Sequence, residues 1–389
     1  MFYLTPTENN IKAREMFEKN IFSVTRQLRY SQDAGKLALD MCLFINGLPV
    51  ITFELKNQLT KQNVDDAVQQ YKDDRDPREV LFSFKRCMVH FAVDDGRIKF
   101  CTKLSGKDSW FLPFDKGYND GAGNPPNPDG IMTDYLWKDI LTKQKLSRII
   151  ENYAQVVEEV DPETKKKSVK QIFPRYHQLD VVEKLLADVK GNGVGQKYLI
   201  QHSAGSGKSN SIAWLAHQLI GLEKDGRPMI DSVIVVTDRR ILDKQIRDTI
   251  KQFMQVSNTV VWAEHSGDLT KAITDGKRIT EPFSMRESMF RVMRNSLFSF
   301  RHLTQLRTIS VFGNSSAICD REQRLMRTRP LYCAESARSL CIFLAMTVQL
   351  APSACKTCKA PLPTFPLPRI SAWMPGSPAK PPTYFPFPP

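Results

Sequence analysis

Residues 39–57 read LDMCLFINGLPVITFELKN. Two runs of strand formers flank Asn46-Gly47, which is a strong short-range hairpin signal. Three charges sit among these apolar residues: Asp40, Glu54 and Lys56. Side chains alternate along a strand, so Glu54 and Lys56 share a face. A two-residue loop would set Asp40 opposite Phe53, on the wrong face. A three-residue loop, Asn46-Gly47-Leu48, sets it opposite Glu54. The longer loop is therefore predicted, with Gly47 at positive φ. Two carboxylates so placed can hold a hard cation such as Mg²⁺ through oxygen. The metal polarises a phosphodiester and lowers the pKa of a bound water, which Lys56 can orient or help deprotonate. The competing reading is a surface hairpin with an ion pair. Asp40 and the apolar flanks CLFI and VITF weigh against it, because a charged trio in buried strands is costly unless it is used.

A second stretch, HSAGSGKS at 202–209, follows the strand formers KYLIQ. A loop of this kind binds phosphates through backbone N–H groups and the start of a helix. Gly205, Ser206 and Gly207 form the bend, Lys208 contacts the β/γ-phosphates, and Ser209 holds Mg²⁺. ATP and Mg²⁺ are thus the expected cofactors. The full G-x-x-x-x-G-K-S/T pattern fails at its first position, which is His202. Around this loop the chain reads as α/β: a helix near 176–190, strands at 197–201 and 232–237, and helices at 208–221 and 241–253.

The chain has 389 residues, enough for two or three domains. No stretch reaches the eighteen apolar residues of a membrane span, and the N-terminus MFYLTPTENNIKARE is not a secretory signal. Eight cysteines are too sparse for a disulfide scaffold, so a cytoplasmic location is expected. The net charge of +13 suggests a polyanionic partner. Its distribution weakens that reading, because residues 280–389 alone carry eleven Arg and three Lys against five acids. The texture changes after about Ile279. Arginine replaces lysine, and the segment holds five of the eight cysteines and 14 of the 24 prolines. A Pro-rich ending cannot be helix or central strand. The expected boundaries are a first domain over 1–160, a charged linker over 161–170, an α/β lobe over 171–279 and a low-order tail over 280–389.

The Asp40/Glu54/Lys56 wording resembles the PD-(D/E)xK nucleases, and LFINGLPVITFELKN is closer still to the nuclease domain of the restriction (motor) subunit of type I restriction enzymes. AVQQYKDDRDP at 67–77, FSFKRCMVHFAVD at 82–94 and FLPFDKGYNDGAGNPPNP at 111–128 agree with it. In that family a Gln near a Tyr supports the site. Here the usual four-residue step before Tyr71 lands on Ala67, which makes Gln69 the stand-in. The proline that usually precedes the first carboxylate is replaced by Leu39. Further on, FPRYHQ at 173–178 resembles the adenine-reading segment of superfamily 2 helicases, with Gln178 on the adenine edge and Arg175 assisting. VIVVTDRRILDKQ at 233–245 resembles the next helicase strand, and the resemblance places Asp238, Arg239 and Arg240 on the DNA backbone.

The family's second Mg²⁺ ligand should end an apolar strand as Asp-Glu-x-His. The near match VVWAEHSG at 260–267 has Ala263 in place of the aspartate and sits too early, so Glu264 is read as a false match. Nothing in 280–389 supplies the acid. Cys355 and Cys358 give at most two of the four ligands a zinc needs. The resemblance therefore implies an α/β nuclease domain, an incomplete RecA-like lobe and a foreign tail, the product of a frame shift or truncation. It also implies a subunit that pumps and cuts double-stranded DNA with ATP, beside methyltransferase and specificity subunits. ATP hydrolysis is expected to be defective here. A stand-alone Mg²⁺ nuclease with a vestigial ATP site, or an inactive fragment, are the alternatives.

Overall fold

The computed structural model describes residues 2–6, 10–31, 37–119, 121–160, 167–194, 196–200, 202, 205–230, 233–237, 249, 260–262, 279–284, 306–313, 339–345 and 369–370. The chain divides into two compact units, one taking in Met1–Tyr176 and the other beginning at His177.

The first unit opens with helix α1 (Ile11–Glu18), capped by the Asn10 side chain, which accepts from the Ala13 N–H. Strands β1 (Phe22–Arg29), β2 (Ala38–Ile45) and β3 (Leu48–Leu55) follow, then helix α2 (Val64–Asp73), then β4 (Val89–Val93), β5 (Ile98–Cys101) and β6 (Leu112–Pro113). The six strands form one sheet in chain order. Only β3 and β4 are parallel, and α2 lies in the crossover that a parallel pair requires. Every residue of β4 is buried, as expected of a central strand covered on both faces.

The hairpin corrects one expectation and fulfils its purpose by another route. Ile45 pairs with Leu48, so the loop is the two-residue Asn46-Gly47, with φ of 51° and 81°. Asn and Gly tolerate the left-handed conformation that a tight turn between twisted strands needs. The extra residue sits inside β3 instead. Phe44 pairs with Pro49 and Leu43 with Ile51, which leaves Val50 as a bulge. The register continues through Met41 opposite Phe53. One step further sets Asp40 opposite Glu54.

The sheet has two different faces. On one, Phe53, Phe91, Phe100, Phe114 and Phe173 pack ring on ring, with the Phe53 and Phe91 centroids 5.7 Å apart. Trp137, carried by a single π-helical turn ahead of helix α3 (Lys143–Asn152), lies 5.3 Å from Phe53. On the other face lies α2, held at its start by a capping box between Asn63 and Asp66. Val64, Ala67 and Tyr71 form its buried stripe. The Val64 N–H donates to Asp94 Oδ2 at 2.7 Å, pinning the helix start to the end of β4.

Of the expected linker, residues 161–166 lie outside the described residues, and 167–170 open a strand. Strands β7 (Gln155–Val160) and β8 (Lys167–Ile172) pair antiparallel, and Gln171 donates to the Cys87 carbonyl at 2.8 Å. Lysines at exposed strand positions gave this segment a linker's composition. The division between units falls at Tyr176/His177.

The second unit contains α4 (Tyr176–Asn192), β9 (Lys197–Ile200), α5 (Lys208–Ile220), a short hairpin of β10 (Glu223–Lys224) and β11 (Arg227–Pro228), and β12 (Val233–Thr237). Apart from the β10/β11 hairpin, these agree with the sequence reading. The helix expected over 241–253 lies outside the described residues apart from Thr249. Strands β13 (Val260–Trp262) and β14 (Ile279–Ser284) join β12 in the parallel order β12-β14-β13. The expected tail also holds β15 (Leu306–Gly313), β16 (Ser339–Ala345) and β17 (Arg369–Ile370), which pair with β9 in the order β16-β15-β9-β17. Short β-branched and aromatic runs such as TISVF and CIFLA suit strands even without a longer periodicity. Among the described residues, no helix is long and apolar enough to cross a membrane.

Candidate active site

Glu54 stands near the end of β3 and is fully buried at 0% exposure. Its Oε1 accepts from Arg75 Nε at 2.6 Å, and Arg75 is itself only 2% exposed. Among the described residues, no hydrogen-bond donor other than the adjacent Asp40 carboxyl reaches Oε2. Burial drives the carboxyl up to about 8. The pairing with Arg75 opposes this shift, and repulsion from Asp40 and a hydrogen bond shared with it add to it. Asp40 is half-buried. Its Oδ2 accepts from the Leu55 N–H at 2.9 Å and its Oδ1 from Gln27 at 3.3 Å. The strand register thus sets the two carboxyls side by side.

Lys56 lies just past β3, where its backbone N–H donates to the Val93 carbonyl. Its Nζ donates to Gln70 Oε1 at 2.5 Å. This corrects the choice of Gln69, which is exposed and donates to Asp73. A helix turns by about 100° per residue. Gln69 therefore points directly away from the stripe of Ala67 and Tyr71, and Gln70 flanks that stripe. The wheel was readable in the sequence. Tyr71 is buried, and its hydroxyl is bonded to a neighbour on β3 rather than to either carboxylate. Its hydroxyl pairs with Thr52 Oγ1 at 2.9 Å, which in turn meets His90 Nδ1 at 2.7 Å. Burial holds His90 neutral, with its pKa down to about 3. Arg75, Thr52 and His90 had no local signal. Arg75 sits in DDRDP, which reads as solvated charge, and meets Glu54 only because α2 crosses the sheet.

The phosphate loop is built differently. Gly205 and Gly207 adopt φ of 73° and 77°, and α5 starts directly after Gly207. The Gln178 amide donates to the Ser206 carbonyl at 3.2 Å and the Gly207 carbonyl at 2.9 Å, and His177 Nε2 lies 3.1 Å from Ser206 O. A Cβ on Gly207 would meet the Gln178 amide. Lys208 Nζ donates to the His202 carbonyl at 3.2 Å. Ser206 is buried, and Ser209 is half-buried in the first turn of α5. Of the expected adenine pair, Gln178 belongs to the unit that carries the loop and Arg175 to the first unit. Asp238, Arg239, Arg240, Glu264, Cys355 and Cys358 lie outside the described residues.

The two pairs differ in what they can hold. Among the described residues, no three His, Cys, Asp or Glu side chains gather as a metal cluster. The first site therefore offers two carboxylates, and the buried Glu54 Oε2 beside Asp40 is the kind of acceptor that a hard cation satisfies. The loop offers left-handed glycines and a helix N-terminus, which suit phosphate.

Residues 6–109 match the family model of the type I restriction enzyme R protein N terminus. The chain is a relative of type I restriction R subunits. A second match, to the SWI2/SNF2 ATPase, covers residues 177–289 and so runs ten residues past the point where the texture changes. Among curated proteins, the chain is 26% identical over 255 residues to the type I restriction enzyme HindI endonuclease subunit of Haemophilus influenzae, covering 62% of this chain and 23% of that protein. A Methanocaldococcus jannaschii protein named for the same subunit, MjaVIIIP, is 26% identical over 247 residues, or 60% of this chain and 21% of its own length. The SauCOLORF180P endonuclease subunit of Staphylococcus aureus is 25% identical over 237 residues. The chain thus spans about a fifth of the length of these relatives. Asp40, Glu54, Lys56, Gln70, Tyr71 and Arg75 all lie in the first matched stretch, and Gln178 with 205–209 in the second.

Proposed function

We propose that the first unit is a Mg²⁺-dependent DNA endonuclease of the PD-(D/E)xK kind, serving as the nuclease part of a type I restriction R subunit. The observation that carries this reading is the fully buried Glu54, whose Oε2 has, among the described residues, no neighbour to satisfy it but the second carboxyl, Asp40. Asp40 and Glu54 would hold the cation, which when bound supplies Lewis-acid polarisation of the phosphodiester. Gln70 orients the Lys56 ammonium beside that position, where it can align the attacking water and stabilise the hydroxide formed from it. The partners are double-stranded DNA and, by kinship, the methyltransferase and specificity subunits of a cytoplasmic restriction–modification complex.

The second unit is proposed to bind ATP through Gly205, Ser206, Gly207, Lys208 and Ser209, with Gln178 on the adenine and Asp238, Arg239 and Arg240 on DNA. ATP-driven translocation is the family's use of such a lobe. In this chain turnover should be slow, because no apolar run after residue 210 ends in Asp-Glu to complete the Mg²⁺ site. The arginine-rich sequence after residue 289, where the SWI2/SNF2 match ends, is then foreign to the motor.

Nicking of supercoiled plasmid tests the first claim. Wild type should nick with Mg²⁺ and not with EDTA, and Lys56→Ala and Glu54→Gln should abolish it. Equal nicking by all three would overturn the assignment. A second reading, a nuclease independent of its ATP site, is favoured by the confinement of the whole first site to one compact unit. Nicking unchanged by ATP would support it, and ATP-driven nicking would exclude it.

A further inference from the structure

Arg75 makes three separate hydrogen bonds, and only one reaches a carboxylate. Its Nε donates to Glu54 Oε1 at 2.6 Å, its Nη1 to the Tyr30 hydroxyl at 3.0 Å, and its Nη2 to the Ala38 carbonyl at 2.9 Å. Arginine commonly meets a carboxylate fork to fork, occupying both oxygens. Here the fork is turned away. Two of its arms go to the chain that carries Asp40: Ala38 opens β2, two residues before Asp40, and Tyr30 follows β1. Tyr30 is held in turn, with its hydroxyl 3.4 Å from the Asp74 carbonyl and its ring edge-on to Phe82 at 4.7 Å. The guanidinium therefore bridges the strand of the first carboxylate and the strand of the second.

We infer that Arg75 is the positioning residue of the cation site: it grips one oxygen of Glu54, turns the other toward Asp40, and fixes the spacing of the two strands by its hold on Ala38 and Tyr30. The inference rests on the Asp40/Glu54 reading above and assigns a role outside the Asp, Glu and Lys of the motif. A lysine cannot replace this side chain, because one ammonium cannot send three planar arms to Glu54, Tyr30 and Ala38. An ion pair made only to neutralise Glu54 would leave Tyr30 irrelevant to the metal. A positioning role makes Tyr30 matter.

The test is Mn²⁺ binding to the full chain, by calorimetry and by electron paramagnetic resonance, for wild type, Asp40→Asn, Arg75→Lys and Tyr30→Phe. Removing an outer partner of a metal ligand typically weakens affinity by about 10- to 100-fold. Arg75→Lys should fall in that range. Tyr30→Phe, which keeps the charge, should weaken binding by about 3-fold yet nick at the wild-type rate once Mn²⁺ saturates. Wild-type affinity in both variants would overturn the role of Arg75 while leaving the carboxylate site intact. If wild type binds no Mn²⁺, or Asp40→Asn binds as well as wild type, the site itself falls and the inference with it. Should Arg75→Lys fail to fold, Tyr30→Phe decides alone: unchanged affinity overturns the inference.

Discussion

The two sites of this chain are held together by opposite means. In the first unit, side chains do the work: Asp40 and Glu54 from paired strands, Lys56 held by Gln70, and Glu54 gripped by buried Arg75. In the second unit the backbone does it, and Gln178 and His177 grip the carbonyls of residues 206 and 207 rather than a side chain. A side-chain site made by one hairpin and the helix that crosses it is closed within about forty residues. A phosphate loop is short and local, but its second metal ligand must come from a strand far along the chain. The first kind of site therefore depends on one hairpin and one helix, and the second on strands spread along the chain.

The largest expected difference is catalytic. Lys56→Ala should lower Mg²⁺-dependent nicking by about 10²- to 10⁴-fold, the usual range for losing a proton-transfer or water-orienting group. Lys208→Ala in the same assay without ATP should change nothing. If Lys208→Ala matters as much, the two sites are not separable.

The next effect is pH-dependent. The buried Glu54 carboxyl, up at about 8, must lose its proton before it can hold a cation. Apparent Mg²⁺ affinity should therefore rise about tenfold per pH unit from 6 toward 8 and flatten above. The phosphate loop has no such carboxyl, and analogue binding there should not follow that slope. A flat titration of Mg²⁺ affinity would contradict the burial argument.

Two smaller effects sharpen the contrast between side chain and backbone. Gln70→Ala should reduce nicking by about tenfold and Gln69→Ala by less than twofold, because only Gln70 touches Lys56. Gly207→Ala should cost about 1–2 kcal/mol in the left-handed position and push against the Gln178 amide, weakening binding of an ATP analogue. The smallest effect is on stability. His90 is buried and neutral, with its pKa at about 3 against 6.5 unfolded, so its contribution is present above 6.5 and lost as pH falls toward 3. A His90→Asn variant should show a shallower loss of urea midpoint across that interval.

Much of the first site was legible because strand alternation and turn chemistry are local. Asp40, Glu54 and Lys56 followed from alternation, and so did the need to set Asp40 opposite Glu54. The route was not legible. Both a three-residue loop and a two-residue loop with a bulge satisfy the same pattern, and only the pairing of Phe44 with Pro49 separates them. Counting four back from Tyr71 lands on Ala67, and Gln69 was the stand-in, where the helical wheel would have selected Gln70. Arg75 could not be read at all, since its partners Tyr30, Ala38 and Glu54 lie 21 to 45 residues away in sequence. Lysines on the exposed face of β8 disguised a strand as a linker.

The most direct test of the central claim is an anomalous-scattering map from crystals of the chain soaked in Mn²⁺. A single strong peak between Asp40 and Glu54 Oε2, with Arg75 still on Oε1, is the predicted result. A well-ordered site with no peak there, or with Mn²⁺ elsewhere and Glu54 paired to Arg75 through both oxygens, would contradict it.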